Sequence, residues 1–225
     1  MKIETVRRKL ASHRPERVEL ADPAYASVAV VLREGPRSAE VLLIERAIRE
    51  GDPWSGHMAF PGGRLDEGDH STLGAAQRET FEEVGVELGD AEVLGQLDEM
   101  IGNPRINPRL VIAAHAFHLE RATDFVLDER EVQDAFWFPL ADLHDEARHV
   151  EHAIPELPEM RFPGIVVGQP DRHVVWGLTY RFLDRMLALL GSPLPDRWGD
   201  LSRYAEDRRD ASPGSSGEVE PSGAS

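Results

Sequence analysis

Three glutamates on one predicted helix are the residues whose type and spacing best suit chemistry. Glu82 and Glu83 follow Glu79 by three and four residues, so a helix would place all three side chains on one face. Three like charges repel one another there. Hard divalent cations such as Mg²⁺ and Mn²⁺ offset that repulsion, because they prefer carboxylate oxygens. Arg78 precedes Glu82 by four residues, a spacing that predicts a supporting ion pair.

A solvated acidic helix is the ordinary alternative, and Glu82 and Glu83 on their own favour it. The residues before the helix change that balance. Gly62 and Gly63 form a turn in which the backbone can approach closely, and its carbonyl oxygens could also serve as ligands. Together the turn and the glutamates favour a metal site over a solvated face.

The segment from Gly63 to Val86 resembles the signature box of the Nudix hydrolase family. Its second half runs Arg-Glu-Thr-Phe-Glu-Glu-Val-Gly-Val, and Thr80 is its one departure, since an apolar residue is usual there. In the first half Asp69 replaces a glutamate, and eight residues rather than seven separate it from Arg78. This one-residue expansion is similar to the coenzyme A diphosphatase branch of the family. The resemblance covers about residues 20–190, and the flanks that support it are 42–46, 60–63 and 175–179.

The resemblance implies a metal-dependent hydrolase that cleaves a diphosphate linkage in a nucleoside diphosphate joined to another group. Coenzyme A or a derivative is one implied substrate. Asp52 stands where the branch has an arginine, so NDP-sugars, ADP-ribose and dinucleoside polyphosphates stay alternatives. An imperfect first half of the box also leaves open a non-catalytic Nudix-like module that binds or senses a nucleotide. A third alternative is a subunit whose acidic face or C-terminal tail recruits a partner.

The family pattern implies a role for each residue of the box. Glu79 and Glu83 would be ligands of Mg²⁺ or Mn²⁺, with Arg78 as structural support. Glu82 would be a further ligand or a bridge to a second ion, and therefore catalytic as well. The general base varies among relatives and often lies outside the box. Glu131 is our candidate for it, and Glu129 is the alternative.

Residues outside the glutamates could contact the substrate. Arg46 ends a predicted strand beside the site and could clamp a phosphate with two hydrogen bonds, or form an ordinary salt bridge. Arg64 has the same two explanations, and Gly63 is expected to contact the substrate through its backbone. Trp54 either stacks on a base or packs under its loop. His57 stands among apolar residues, which predicts a buried, neutral imidazole.

Strands and a few helices are predicted in alternation, which indicates an α/β layer fold. The resemblance specifies this as a Nudix-type α/β/α sandwich with a mixed β-sheet and a loop-helix-loop catalytic box. Ser71 and Gly85 suit the first and last positions around the box helix. Apolar and β-branched runs predict strands. The predicted helices are 3–12, 71–85 and 178–190, and the predicted strands are 27–32, 40–44, 57–60, 91–98, 109–119 and 133–138.

The composition of the 225 residues limits the function further. A net charge of −16 argues against nucleic acid and against an anionic membrane surface as partners. The absence of cysteine excludes disulfides and thiolate metal sites. A charged N-terminus without an apolar run leads us to expect a cytoplasmic protein. Its expected partner is a small-molecule diphosphate, and the family resemblance makes a homodimer possible.

The chain divides into three predicted parts. An N-terminal helix and extension occupies residues 1–20, and the Nudix domain occupies 21–195. The remaining residues, 196–225, form a C-terminal tail that is rich in charge and then in Ser, Gly and Pro. Such a composition cannot bury a core, so disorder is predicted from about residue 206.

Overall fold

The computed structural model describes residues 1–195, except 52–53, 104–105, 122–123 and 155–156, and it gives no account of the side chains at 157–158. Residues 1–195 form one compact unit. The C-terminal tail, for which disorder is predicted, lies outside the described residues.

The described part of the chain contains three α-helices, eleven strands and two short 3₁₀ turns. The helices are α1 Ile3–Ser12, α2 Thr72–Val84 and α3 Gly177–Leu189. The strands are β1 Ala24–Glu34, β2 Ala39–Arg46, β3 Met58–Ala59, β4 Gly62–Arg64, β5 Glu92–Gln96, β6 Met100–Ile101, β7 Leu110–His118, β8 Val132–Pro139, β9 His149–Ile154, β10 Leu157–Val166 and β11 Val174–Trp176.

The main sheet is mixed. Strands β3, β2, β1, β7 and β5 lie side by side in that order, while β4 pairs with β1, β6 with β7 and β8 with β2. Strands β1 and β7 run parallel, and every other described pairing in this sheet is antiparallel. This arrangement confirms the predicted α/β sandwich with a mixed sheet.

Strand β2 is buried on both faces, as a strand at the centre of a sandwich must be. On one face Leu42 and Ile44 belong to a core cluster that includes Ala76 and Val84 of α2. Successive side chains of a strand point to opposite faces. Glu45 therefore lies on the other face, where the loop before β11 covers it.

Helix α2 forms where the sequence predicts it because both of its ends are specified locally. The Ser71 hydroxyl accepts a hydrogen bond from the Gly74 amide at 3.0 Å, which satisfies one of the exposed donors of the first turn. Gly85 ends the helix in the left-handed conformation, at φ +70°, and its amide bonds to the Phe81 carbonyl. The box helix therefore has fixed ends and a fixed rotation against the sheet.

Two features differ from the prediction. A second, three-stranded sheet of β9, β10 and β11 occupies residues for which no strand was predicted. Pro163 and Gly164 interrupt the pattern of β10, and both residues normally weaken a strand assignment. The Gly62-Gly63 turn also pairs with β1 as the short strand β4.

The N-terminal helix packs onto the main sheet. Ile3, Val6 and Leu10 are buried, and Arg7 bonds to both carboxylate oxygens of Glu92 on β5, at 2.6 and 2.7 Å. The first residues therefore belong to the same compact unit as the rest of the described chain. Among the described residues, no helix is both long and apolar enough to cross a membrane.

Candidate functional site

Three carboxylates from two parts of the chain meet beside the C-terminal end of β2. Glu79 and Glu83 come from α2, and Glu131 comes from the loop before β8. One ligand atom from each lies within 4.8 Å of the others. Three negatively charged carboxylates whose oxygens lie this close together are ligands that a hard divalent cation prefers.

Hydrogen bonds between backbone groups position Glu131 in this cluster. The Asp128 amide donates to the carbonyl of Glu83 at 3.1 Å, which ties the loop to the end of α2. The Glu131 amide donates to the Asp128 carbonyl at 2.8 Å, and the Glu131 carbonyl accepts from Ala47 just beyond β2, also at 2.8 Å. The loop is therefore held between helix and sheet, and residue 131 is fixed where they meet.

Glu83 is the most deeply buried member, with only 2% of its surface exposed. One of its oxygens accepts a hydrogen bond from the Gly62 amide at 2.8 Å. Burial raises the pKa of Glu83 to about 8, and the charges of Glu79 and Glu131 raise it further, against the Gly62 hydrogen bond and the charge of Arg46. The protein alone therefore leaves this carboxylate's negative charge under-compensated, which a bound cation would correct.

Gly63 makes room for the second carboxylate. A Cβ atom built at this position would lie 2.5 Å from the Glu79 carboxyl carbon, closer than side chains tolerate. Burial also raises the pKa of Glu79, although hydrogen bonding to Arg78 lowers it. The glycine is therefore required by the close approach of Glu79 to the turn.

Arg78 forms hydrogen bonds to several residues of the box. Its guanidinium donates to Glu79 at 2.9 Å, to Glu82 at 2.8 Å and to both oxygens of Asp69, at 3.1 and 2.8 Å. It also donates to the Arg64 carbonyl at 3.2 Å. The hydrogen bonds from Arg78 lower the pKa of Asp69, and Asp69 in turn raises that of Arg78. The predicted ion pair to Glu82 is present, and the aspartate that replaces the box glutamate anchors the same arginine.

The other predicted site residues lie at different distances from the cluster. Glu82 lies outside it, with 55% of its side chain exposed, and Glu129 belongs to no potential metal cluster of the described residues. Arg46 ends β2 near enough for its charge to act on Glu83. Arg64 reaches the site through its backbone carbonyl, while its side chain is exposed. The roles predicted for these residues stay predictions.

Comparison with known proteins decides the family. The NUDIX domain matches residues 23–159, which is more than half of the chain. The chain belongs to the Nudix family. Helix α2 and the turn before it are therefore the Nudix box of this protein, and Glu131 lies outside the box but within the matched domain.

Three curated relatives of this chain illustrate the range of similarity. An uncharacterized protein of Schizosaccharomyces pombe, C14C4.10c, is 38% identical over 60% of this chain and 47% of its own length. Nudix hydrolase 3 of Caenorhabditis elegans is 29% identical over 80% and 79%. The peroxisomal coenzyme A diphosphatase ndx-8 of the same organism is 35% identical over 59% and 56%. The chain thus spans about half the length of the first and third of these proteins.

A second cluster in the Nudix domain was not predicted. Glu45 of β2, Asp134 of β8 and His173 before β11 also bring ligand atoms within 4.8 Å of one another. Arg172 binds both oxygens of Glu45, at 2.8 and 2.6 Å. These residues are 39 or more positions apart in the chain, so only the pairing of β2 with β8 and the loop before β11 unite them.

The proton position on His173 argues against metal binding by this second cluster. Its Nδ1 accepts a hydrogen bond from the Gln169 amide at 3.1 Å, so in the neutral ring Nε2 carries the proton. That nitrogen points at Glu45 and Asp134, 3.5 and 4.0 Å away. A protonated nitrogen cannot be a ligand. Arg172 therefore supplies the positive charge beside Glu45, and the N–H of His173 faces the two carboxylates.

Two side chains of the loops around the first cluster also differ from prediction. Arg49, which was not predicted, donates to Glu131 at 3.2 Å and to the Arg130 carbonyl at 2.7 Å. His57 is not fully buried as predicted. It is partly exposed and stacks edge-on against Trp176, with ring centroids 4.9 Å apart. Neither contact has a local sequence signal, because each joins segments far apart in the chain.

Proposed function

We propose that this protein is a Mg²⁺- or Mn²⁺-dependent Nudix hydrolase that cleaves the diphosphate linkage of a nucleoside diphosphate joined to another group. The observation that carries the proposal is the cluster of Glu79, Glu83 and Glu131. Glu83 is buried and Glu79 is half-buried, and the pKa values of both are raised although Arg46 and Arg78 lie nearby. Membership of the Nudix family supports the same reaction class.

The chemistry of these residues fits a hard divalent cation. Glu79 and Glu83 would hold it, with Glu82 available from the exposed side of α2. When bound, such an ion neutralises diphosphate oxygens and lowers the pKa of an attacking water molecule. The cost of bringing like-charged carboxylates together is offset by the cation.

The chain's own residues would perform the remaining steps. Arg46, at the end of β2, would bind and orient a phosphate oxygen. The carboxylate of Glu131 would accept the proton of the attacking water as its oxygen bonds to phosphorus, while the bridging P–O bond breaks and its electrons leave with the departing phosphate. Arg49 would orient Glu131 through the contact described above.

Coenzyme A or a derivative is the substrate we propose first. The one-residue expansion of the box and the 35% identity to a coenzyme A diphosphatase support this choice. A panel of coenzyme A, NDP-sugars, ADP-ribose and dinucleoside polyphosphates with Mg²⁺ or Mn²⁺, resolved by mass, tests it. Cleavage of coenzyme A at its diphosphate linkage into two products that each keep one phosphate of that linkage is expected, and cleavage of another compound would reassign the substrate.

Binding without turnover is the alternative outcome. If the chain binds members of the panel tightly in the presence of Mn²⁺ and hydrolyses none, it is a nucleotide-binding Nudix module instead. Where a compound is hydrolysed, repeating the reaction in ¹⁸O-labelled water identifies the attacked phosphorus, because the label appears in one product only. The homodimer and the cytoplasmic location stay predictions.

A further inference from the structure

Three partly exposed rings surround the partly exposed Trp176 where the second sheet meets β3. The ring centroid of Trp176 lies 4.9 Å from that of His57, 5.1 Å from that of His152 and 5.4 Å from that of Phe162. All four side chains keep part of their surface exposed. We call these four residues the Trp176 cluster.

The Trp176 cluster lies next to the candidate metal site along the chain and across the sheet. The Arg46 amide donates to the His57 carbonyl at 3.1 Å, so the cluster begins on the strand directly beside Arg46. From His57 the chain continues through β3 to Gly62, whose amide donates a hydrogen bond to Glu83. A ligand whose phosphates contact Arg46 would thus have an aromatic surface one strand away.

The backbone turns at a glycine next to two of the rings. Gly56 precedes His57 and Gly177 follows Trp176, and both glycines adopt positive φ, at +69° and +62°. A Cβ at Gly177 would meet nothing within 4 Å outside its chain neighbours, and a Cβ at Gly56 would meet only Ile48, at 3.9 Å. The positive φ at both positions therefore sets the direction in which the chain enters and leaves the cluster.

We propose that the Trp176 cluster stacks the base of a nucleoside diphosphate whose phosphates occupy the carboxylate site. The proposal rests on the proposed function for the position of the phosphates, and it adds the part of the protein that recognises the nucleoside. Planar π faces attract bases of any kind, so this surface selects a nucleoside over a sugar or a simple diphosphate without reading one base.

The side chains of the cluster suit a flat, uncharged ligand. Burial lowers the pKa of His152, which favours its neutral ring. Trp176 and Phe162 add apolar faces, and aromatic pairs prefer the tilted and edge-on arrangements seen here. A purely structural role, in which the rings only hold the second sheet against β3, is the alternative that an experiment must separate.

Binding of ADP and of inorganic pyrophosphate to the full chain with Mg²⁺ separates these explanations. Calorimetry should show that the unaltered protein prefers ADP. In Trp176→Leu, ADP binding should weaken about 5- to 100-fold, the usual value of one stacked base, while pyrophosphate binding changes less than twofold. Equal losses for both ligands, or no loss for ADP, would overturn the proposal, as would an unaltered protein that does not prefer ADP.

Trp176→Phe and His152→Ala keep the test informative if Trp176→Leu fails to fold. Trp176→Phe should retain ADP affinity within about threefold but lose the change in tryptophan fluorescence that ADP causes. Fluorescence that still responds equally to ADP would contradict stacking on this ring. Because these measurements need no turnover, a protein without diphosphatase activity on any compound would refute the proposed function and leave this result readable.

Discussion

Two clusters of acidic side chains flank β2, and they differ in how the protein compensates their charge. Around Glu45, a bidentate arginine supplies the positive charge, and the N–H of His173 points at the carboxylate from 3.5 Å. Around Glu83, the Gly62 amide donates a hydrogen bond, but burial and the nearest carboxylates raise the pKa of Glu83 against this bond and the charge of Arg46. Glu45 and Arg46 are neighbours in β2 but face opposite sides of the sheet. Glu45 belongs to the cluster with an internal arginine, and Arg46 lies beside the candidate metal site.

The difference between the Glu45 and Glu83 clusters indicates that proximity of ligand atoms is not sufficient for a metal site. Both clusters bring three potential ligands within 4.8 Å. In one, Arg172 already binds both oxygens of Glu45 and a protonated nitrogen points inward. In the other, burial keeps the pKa values of Glu79 and Glu83 raised despite Arg78 and Arg46, so a bound cation would recover part of the energy of assembling these carboxylates.

The largest expected effect is on catalysis by the Glu83 cluster. Glu83→Gln should lower kcat by about three orders of magnitude, because a metal that stabilises the transition state by several kcal/mol is lost. The matched control is Glu45→Gln, which removes a buried carboxylate from the other face of β2 and should change kcat less than threefold. Steady-state kinetics with Mg²⁺ on both variants tests this, and similar losses would contradict the distinction between the clusters.

A smaller effect is expected at the proton acceptor. Glu131→Gln should lower kcat about 10²-fold or more, as loss of a general base usually does. Glu129→Gln, two residues away in the same loop, should retain activity within about twofold. If the Glu129 variant loses more activity than the Glu131 variant, the base has been assigned to the wrong residue.

The free energy of unfolding should depend more on Glu45 than on Glu82, although Glu45 is not expected to contribute to catalysis. Glu45→Gln leaves the donors of Arg172 and His173 facing a buried amide, and we expect a loss of about 1–3 kcal/mol in the free energy of unfolding. Glu82→Gln also removes a partner of an arginine, but its side chain is 55% exposed, so the loss should be at most about 0.5 kcal/mol. Urea unfolding measures both, and a larger loss at Glu82 would refute this order.

A pH dependence of stability is also expected in the metal-free protein. Native Glu83 keeps its proton up to a pKa of about 8, whereas unfolded Glu83 loses it near pH 4.5. The unfolded state therefore binds fewer protons between these values, and stability falls as pH rises, by up to about 1.4 kcal/mol per unit. Urea unfolding with EDTA at pH 6.5 and 7.5 should show this fall.

Glu83→Gln serves as the reference for that measurement, since its amide does not titrate. The difference in slope between the two proteins isolates Glu83 from other groups, including His115, whose pKa burial lowers to about 4. Stability of Glu45→Gln should keep the slope of the unaltered protein. Identical slopes for Glu83→Gln and the unaltered protein would show that Glu83 is ionised in the native state at neutral pH.

The elements around the box were predictable because their signals are local. Ser71, Gly85 and the apolar positions between them specify α2 within fifteen residues, and the structure confirms both caps. Strands β9, β10 and β11 were not predicted, since Pro163 and Gly164 hide the pattern of β10. Their stability comes from pairing with one another and packing against β3 and α3, which no short window of sequence contains.

The sequence by itself determined the box: three glutamates at helical spacing, the glycine turn and the arginine that joins them. These depend on chain neighbours, and helix geometry converts their spacing into position. Only the tertiary structure decided which carboxylates share a site. Glu131 enters the cluster because its carbonyl accepts from the Ala47 amide and because the Asp128 amide of the same loop donates to the Glu83 carbonyl. Glu45 in turn acquires Arg172, which lies 127 residues away in the chain. Burial and charge compensation depend on such distant contacts, so the same residue type became an anchored carboxylate on one face of β2 and a potential metal ligand on the other.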